Sequence, residues 1–222
     1  MYQSYIRPLL FRMDAERAHT LSLWGARLAQ GVAASWVASR FDFSDERLAQ
    51  TMWGLSFPNP LGLAAGADKN GKAIRFWEAI GFGFVEIGSV SAQPCGGNPK
   101  PRAFRLPDDE AIINRMGLNN EGADAVARRL DKGEASRQRP LGVNLAKTHD
   151  PSIEGDAARA DFVASFRTLA PHADYVVLNV SCPNTHEGKT FEDTDTLDAL
   201  LTTIRNEQSR SPAHDVPLLV KV

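Results

Sequence analysis

The sequence predicts an α/β fold in which parallel strands alternate with helices, preceded by a helical extension. Three observations carry that expectation. Short, nearly continuous apolar runs such as Tyr175-Val-Val-Leu-Asn-Val180 recur from residue 61 onward, as expected of strands buried on both faces of a parallel sheet. Amphipathic stretches of helical period separate them. Each run then ends in glycine or small polar residues, at the end of the strand where folds of this kind place their ligands.

The first forty residues differ from the rest. Asp14 can cap a helix in which Leu21, Trp24 and Leu28 recur at helical spacing. Gly31 is a stop signal, and Val32, Trp36 and Val37 suggest a further short helix. Arg7, Arg12, Arg17, Arg27 and Arg40 outnumber Asp14 and Glu16, so this segment is basic. It reads either as a helical appendage packed on the domain or as an amphipathic lid resting on a membrane surface. The expected division is 1–45 for the extension and 46–222 for the strand–helix region.

Strand–helix units then follow in order. Leu61-Gly-Leu-Ala-Ala65 is a small-residue strand with a helix near 70–80, and Phe84-Val-Glu-Ile-Gly88 is the next strand. A Pro/Gly-rich excursion over about 91–115 leads to a helix at about 119–130. Leu141-Gly-Val-Asn-Leu145 precedes a helix near 156–170, with Phe162, Phe166 and Leu169 on one face. Tyr175–Val180 is the fourth strand, a helix near 194–209 follows, and Pro217-Leu-Leu-Val-Lys-Val222 reads as a fifth strand. A closed (β/α)8 barrel needs eight such units and about 250 residues. About five are present, and the last residues lie inside a strand, as expected of a stretch of a longer polypeptide.

Composition narrows the partners. A chain of 222 residues with 43% hydrophobic and 23% charged residues is ordinary for a globular protein with one sizeable core. A net charge of −2 gives no electrostatic reason to expect nucleic acid. Cys95 and Cys182 lie far apart in the sequence, which fits a reducing compartment and no metal-ligand spacing. No apolar run reaches the ~20 residues of a membrane span, and Met1-Tyr-Gln-Ser-Tyr-Ile-Arg-Pro8 lacks the layout of a secretion signal. A cytoplasmic location is expected.

The strand ends carry the candidate chemistry. In Ala64-Ala-Gly-Ala-Asp-Lys-Asn-Gly71, Gly66 permits close approach of a ligand to the backbone, Lys69 supplies a cation, and Asp68 could fix it. The excursion holds Arg102, Arg105, Asn114 and Asn119. Paired amides suit a planar heterocycle with alternating carbonyl and N–H edges, and the arginines either pair with a carboxylate or are solvated. Asn144 and Asn179 sit just inside consecutive strand ends, where buried amides need partners. Lys221 interrupts an apolar strand, at a cost unless it meets an anionic or electron-rich group. Cys182, in a Ser-Cys-Pro-Asn loop entry, reads as a reactive thiol, with an inert core cysteine as the alternative. His149 reads as a surface residue.

Taken together, these stretches resemble dihydroorotate dehydrogenases. The blocks that carry the resemblance are Asn59-Pro-Leu-Gly-Leu-Ala-Ala-Gly-Ala-Asp-Lys69, Gly81-Phe-Gly-Phe-Val-Glu-Ile-Gly-Ser89, Gly97-Asn-Pro-Lys-Pro-Arg102 and Ile113-Asn-Arg-Met-Gly117. Leu141-Gly-Val-Asn144, Asn179-Val-Ser-Cys-Pro-Asn-Thr185 and Leu219-Val-Lys221 continue them in matching order. The segment Arg7–His19 is similar to the helical extension of the membrane-associated, quinone-reducing class. The resemblance implies a (β/α)8 barrel that binds FMN, oxidises dihydroorotate to orotate for pyrimidine synthesis, and passes electrons to a quinone arriving through the N-terminal helices. By position it implies FMN contacts from Ala65, Gly66, Lys69, Ser89, Asn144, Asn179 and Lys221. It implies substrate contacts from Lys69, Asn114, Arg115, Met116, Gly117, Leu118, Asn179 and Asn184, with Cys182 as the base. The quinone class usually has serine at Cys182, and His186-Glu-Gly-Lys-Thr190 departs from the family's usual turn. Two alternatives therefore stand beside it: a flavin dehydrogenase of another cyclic amide, and a catalytically silent half-barrel binding module.

Overall fold

The computed structural model describes residues 2–133, 137–181, 191 and 193–222. Five strands form one parallel sheet: β3 (Gly62–Leu63), β4 (Phe84–Val90), β7 (Leu141–Leu145), β8 (Tyr175–Asn179) and β9 (Leu218–Lys221). Their order across the sheet is their order in the chain. Sequential parallel order without reversal is the wall of a (β/α)8 barrel and not a doubly wound sheet, whose order reverses at a switch point. The described residues form an open arc of that wall, with β3 and β9 at its edges.

Helices α4 (Ile74–Ala79), α5 (Ala123–Gly133), α6 (Gly155–Leu169) and α7 (Thr194–Gln208) cross over between the strands. One face of each strand meets them: Ile87, Val143, Leu145, Val176 and Leu178 pack with Val126, Phe162, Phe166, Leu200 and Ile204, all fully buried. This apolar layer is what the alternating pattern foretold.

The opposite strand faces look into the barrel and stack in rows set by the register. Gly62 lies beside Phe84; Glu86, Gly142 and Tyr175 share a row; Asn144, Val177 and Leu219 share the next; Asn179 and Lys221 form the last. The lowest rows are aromatic, with Phe84 edge-on to Phe57 and close to Tyr175, which also meets Trp53. Two glycines make room for them. A Cβ on Gly62 would sit 2.1 Å from the Phe84 ring, and one on Gly142 would sit 2.2 Å from the Tyr175 ring.

Trp53 and Phe57 belong to a hairpin absent from the sequence expectation, β1 (Gln50–Met52) and β2 (Leu55–Phe57), which pair antiparallel under the barrel. Its two-residue turn, Trp53-Gly54, has positive φ at both positions (53° and 76°), the backbone usually signalled by Asn-Gly. With tryptophan at the first place, that signal was hidden. A second hairpin, β5 (Ala103–Leu106) with β6 (Ala111–Asn114), occupies the excursion that reads as loop. The remaining elements fall within a few residues of expectation.

At the N-terminus α1 (Arg7–Phe11) precedes α2 (Ala15–Val32) and α3 (Ala34–Phe41). Asp14 caps α2, accepting a hydrogen bond from the Arg17 N–H at 3.0 Å. Gly31 does not end this helix, which continues to Val32 and breaks at Ala33. Helices α2 and α3 pack on α4, and α2 also touches β5. Among the described residues no helix is long and apolar enough to cross a membrane.

Candidate active site

The carboxyl ends of the strands open into a cavity of about 830 Å³. Its floor is the strand tips and the turn after β3, one wall is the second hairpin with residues 116–119, and α2 forms its roof. Ala65, Gly66, Lys69, Ser89, Asn114, Met116, Gly117, Leu118, Asn179 and Lys221 all line it. Residues up to 156 positions apart in sequence thus meet around one space. Gly66 holds φ at +108°, and nothing lies within 4 Å of the place a Cβ would occupy, so its backbone is open to a ligand. Its N–H donates to the Gly88 carbonyl at 2.8 Å, tying the turn to β4.

Lys69 donates to Asn119 Oδ1 at 2.6 Å across the cavity wall. The Asp68 carboxylate, expected to fix Lys69, instead accepts from the N–H groups of Lys72 and Ala73 at 2.8 Å each and from the Trp77 indole at 3.2 Å. Asp68 therefore seats the start of α4, and the cation is positioned by an amide.

Asn144 does not line the cavity; it is fully buried beneath it. It accepts from Ser89 Oγ at 2.5 Å and donates to Glu86 Oε1 at 2.9 Å. Ser89 Oγ in turn accepts from Asn179 Nδ2 at 2.9 Å. The Asn179 Oδ1 atom is buried and has no hydrogen-bond partner among the described residues. An orphaned buried acceptor at a cavity floor carries a desolvation penalty that a ligand N–H would remove.

The Arg115 side chain is exposed and donates to the Pro101 carbonyl at 3.1 Å, outside the cavity lining. It follows the last residue of β6, and its neighbours Asn114 and Met116 line the cavity. Of the two readings of Arg102, pairing with a carboxylate is the one the structure shows, and the carboxylate is Glu16. Arg102 is 5% exposed, forks onto Glu16 of α2 (2.6 and 3.1 Å) and donates to the carbonyls of Gly96 and Asn98. The hydrogen bond from Arg102 holds the Glu16 carboxyl below its usual range against the opposing effect of burial. His149 is half-buried, not a surface group, with Nδ1 3.1 Å from the Gly117 carbonyl. Cys182, Asn184 and the 186–190 turn lie outside the described residues.

Several cavity groups had no signal in the sequence. Glu16, His19, Thr20 and Trp24 reach it only because α2 folds back over the strand ends. Glu86 and Tyr175 sit below it in a strand pattern that reads simply as apolar. The His19 imidazole is held below its ordinary range by desolvation and then by the Lys69 charge. Among the described residues no cluster of His, Cys, Asp or Glu could hold a metal ion.

Sequential parallel strands whose polar tips meet a helix-roofed cavity define a barrel-type α/β protein with a polar-lined cavity at the strand ends. Residues 47–222 match the family described as Dihydroorotate dehydrogenase. The chain belongs to this family. It is 44% identical over 229 residues to a dihydroorotate dehydrogenase (quinone) of Pseudarthrobacter chlorophenolicus, covering 100% of this chain and 64% of that protein. To one of Gloeobacter violaceus it is 47% identical, covering 97% and 59%. In structure it resembles DHODH from Eimeria tenella in complex with ferulenol, with a TM-score of 0.81 and 33% identity over 96% of this chain and 62% of that one. The chain thus spans less than two thirds of the length of these relatives.

Proposed function

We propose that this chain serves the FMN-dependent oxidation of dihydroorotate to orotate, with a quinone as electron acceptor, in pyrimidine synthesis. The observation that carries the reading is one cavity that brings Asn179, whose buried Oδ1 has no partner among the described residues, together with Lys221 and the bare Gly66 backbone. Those features fit FMN: an acceptor for an N–H edge, cations for an electron-rich ring, and a floor without a side chain. Bound flavin supplies the hydride acceptor.

The chain's own residues do the rest. Ala65, Gly66 and Ser89 would seat the cofactor, and Asn144 would hold Ser89 and Asn179 in place from beneath. Lys69 and Lys221, which line the cavity, would supply positive charge to a reduced, electron-rich ring. Asn114, Met116, Gly117 and Leu118 would enclose the pyrimidine with the help of Lys69, Asn179 and Asn184. The Cys182 thiolate would take the substrate's C5 proton. A thiol, more acidic than the hydroxyl usual in the quinone class, reaches its basic form at lower pH.

For the electron acceptor, the support is the roof. Trp24 of α2 lines the cavity, and Leu21, Leu28, Val32 and Trp36 of the same helical pair are 48–81% exposed. An exposed apolar face on a basic segment suits an interfacial helix, so we assign residues 1–45 to peripheral contact with the cytoplasmic side of a membrane and to quinone entry. Leu28→Glu with Trp36→Glu is expected to lower co-sedimentation with phosphatidylglycerol vesicles and quinone turnover by tenfold or more, while dye reduction persists. Equal quinone rates would remove this role.

The reading is tested by anaerobic mixing with dihydroorotate. The protein is expected to show flavin absorbance that bleaches on mixing, and Cys182→Ala is expected to slow bleaching by at least about 10²-fold with the flavin retained. A colourless protein, or bleaching by another cyclic amide but not by dihydroorotate, would overturn it.

A further inference from the structure

Glu86 does not line the cavity, yet it ends the hydrogen-bond chain beneath the floor. Each link of that chain has its direction dictated by the one below. A carboxylate has acceptors only, so Asn144 must turn its NH2 to Glu86, at 2.9 Å. The Asn144 carbonyl oxygen then faces Ser89, whose hydroxyl must donate to it, at 2.5 Å. With its one proton committed, Ser89 can only accept from Asn179, which offers Nδ2 at 2.9 Å. Asn179 is left with Oδ1 buried and without a hydrogen-bond partner among the described residues.

Glu86 is itself held. Gly142 stands between Glu86 and Tyr175 in the strand register, and its missing side chain lets the Tyr175 ring cross to the carboxylate. The buried Tyr175 phenol is kept protonated by burial, then by the Glu86 charge and its hydrogen bond to Glu86, all of which push its titration up. It remains a donor.

We infer that Glu86 is a positioning residue that fixes the hydrogen-bond polarity beneath the cavity floor: through Asn144 it commits the Ser89 proton and so makes Asn179 the donor to Ser89. A cofactor readout of this role rests on the proposed function; the direction of the chain does not.

Neutron diffraction on deuterated crystals of the chain tests the direction itself. Wild type is expected to show deuterium on Asn179 Nδ2 pointing at Ser89, and Glu86→Leu is expected to show the Asn144 and Asn179 amides in mixed orientations. Glu86→Gln keeps a carbonyl acceptor for Asn144 and is expected to retain the wild-type orientation. FMN titrations supply a second readout. Affinity is expected to fall about tenfold in Glu86→Leu, the equivalent of one net hydrogen bond, and less than threefold in Glu86→Gln. An Asn179 amide that meets Ser89 through its oxygen in the wild type, or fixed orientations and unchanged affinity in Glu86→Leu, would overturn the inference. A wild-type protein that binds no FMN would defeat the functional reading alone, since the nuclear maps still decide the role of Glu86.

Discussion

Gly142→Ala is expected to lower the melting temperature by roughly 5–15 °C. The new Cβ would lie 2.2 Å from Tyr175 Cζ, 2.3 Å from Cε2 and 2.5 Å from the hydroxyl. Tyr175 is 3% exposed and hemmed in by Phe84 and Trp53, so its ring has no free direction in which to retreat. Overpacking of this kind costs about 1–3 kcal/mol. Displacing the phenol also strips Glu86 of a donor, a further cost of about 1–3 kcal/mol for an under-satisfied polar group. Tyr175→Phe separates the two: it loses the hydrogen bond without crowding and is expected to show only the smaller part. Gly25→Ala, in α2 with nothing within 4 Å of the new atom, serves as the control and is expected to be neutral or stabilising. Differential scanning calorimetry of the three variants checks the ranking. Equal melting temperatures for Gly142→Ala and wild type would mean that the floor is not packed as described.

Arg102→Ala is expected to cost about 3–5 kcal/mol, because it leaves a carboxylate at a largely buried interface without its partner. Glu16 is only 12% exposed at its side chain, and Lys100, 3.3 Å away but 67% exposed, is a poor substitute. The guanidinium also satisfies the Gly96 and Asn98 carbonyls, which lysine cannot do in the same fork, so Arg102→Lys is expected to rescue little. Urea denaturation followed by tryptophan fluorescence reads the loss. Limited proteolysis should show α2 lifting from the excursion first, which opens the cavity roof. The pair also sets an acid limit. Because the folded-state titration of Glu16 is depressed, its contribution is present in full above the unfolded carboxyl range and is lost as pH falls through the folded value. Glu16→Gln is expected to remove that acid-sensitive component. A wild-type roof that detaches on raising the pH instead would refute the assignment.

The strand–helix succession was legible because both faces of each strand are buried in a parallel sheet, which leaves an apolar run that periodicity can detect. The strand-tip amides Asn144 and Asn179 were legible because polar residues at the end of such a run need a reason. Arg102 stayed open between solvation and pairing with a carboxylate because nothing local distinguishes a loop arginine in water from one that forks onto a helix 86 residues away. The two hairpins were missed because one turn carries tryptophan where asparagine is the usual signal, and the other lies in a stretch rich in proline and glycine.

The amino-acid order by itself determined the class of fold, the succession of strands and helices, and most of the polar residues brought to the strand ends, since each depends on the period and composition of a short window. Only the tertiary structure decided what those residues do to one another. It turned Asn144 away from the cavity, turned Arg115 outward, set α2 over the strand ends and placed Glu86 under Asn179. The physical reason is that hydrogen-bond direction and burial are properties of side chains packed in three dimensions, and the row that joins Glu86, Gly142 and Tyr175 comes from three strands whose register no single stretch of sequence records.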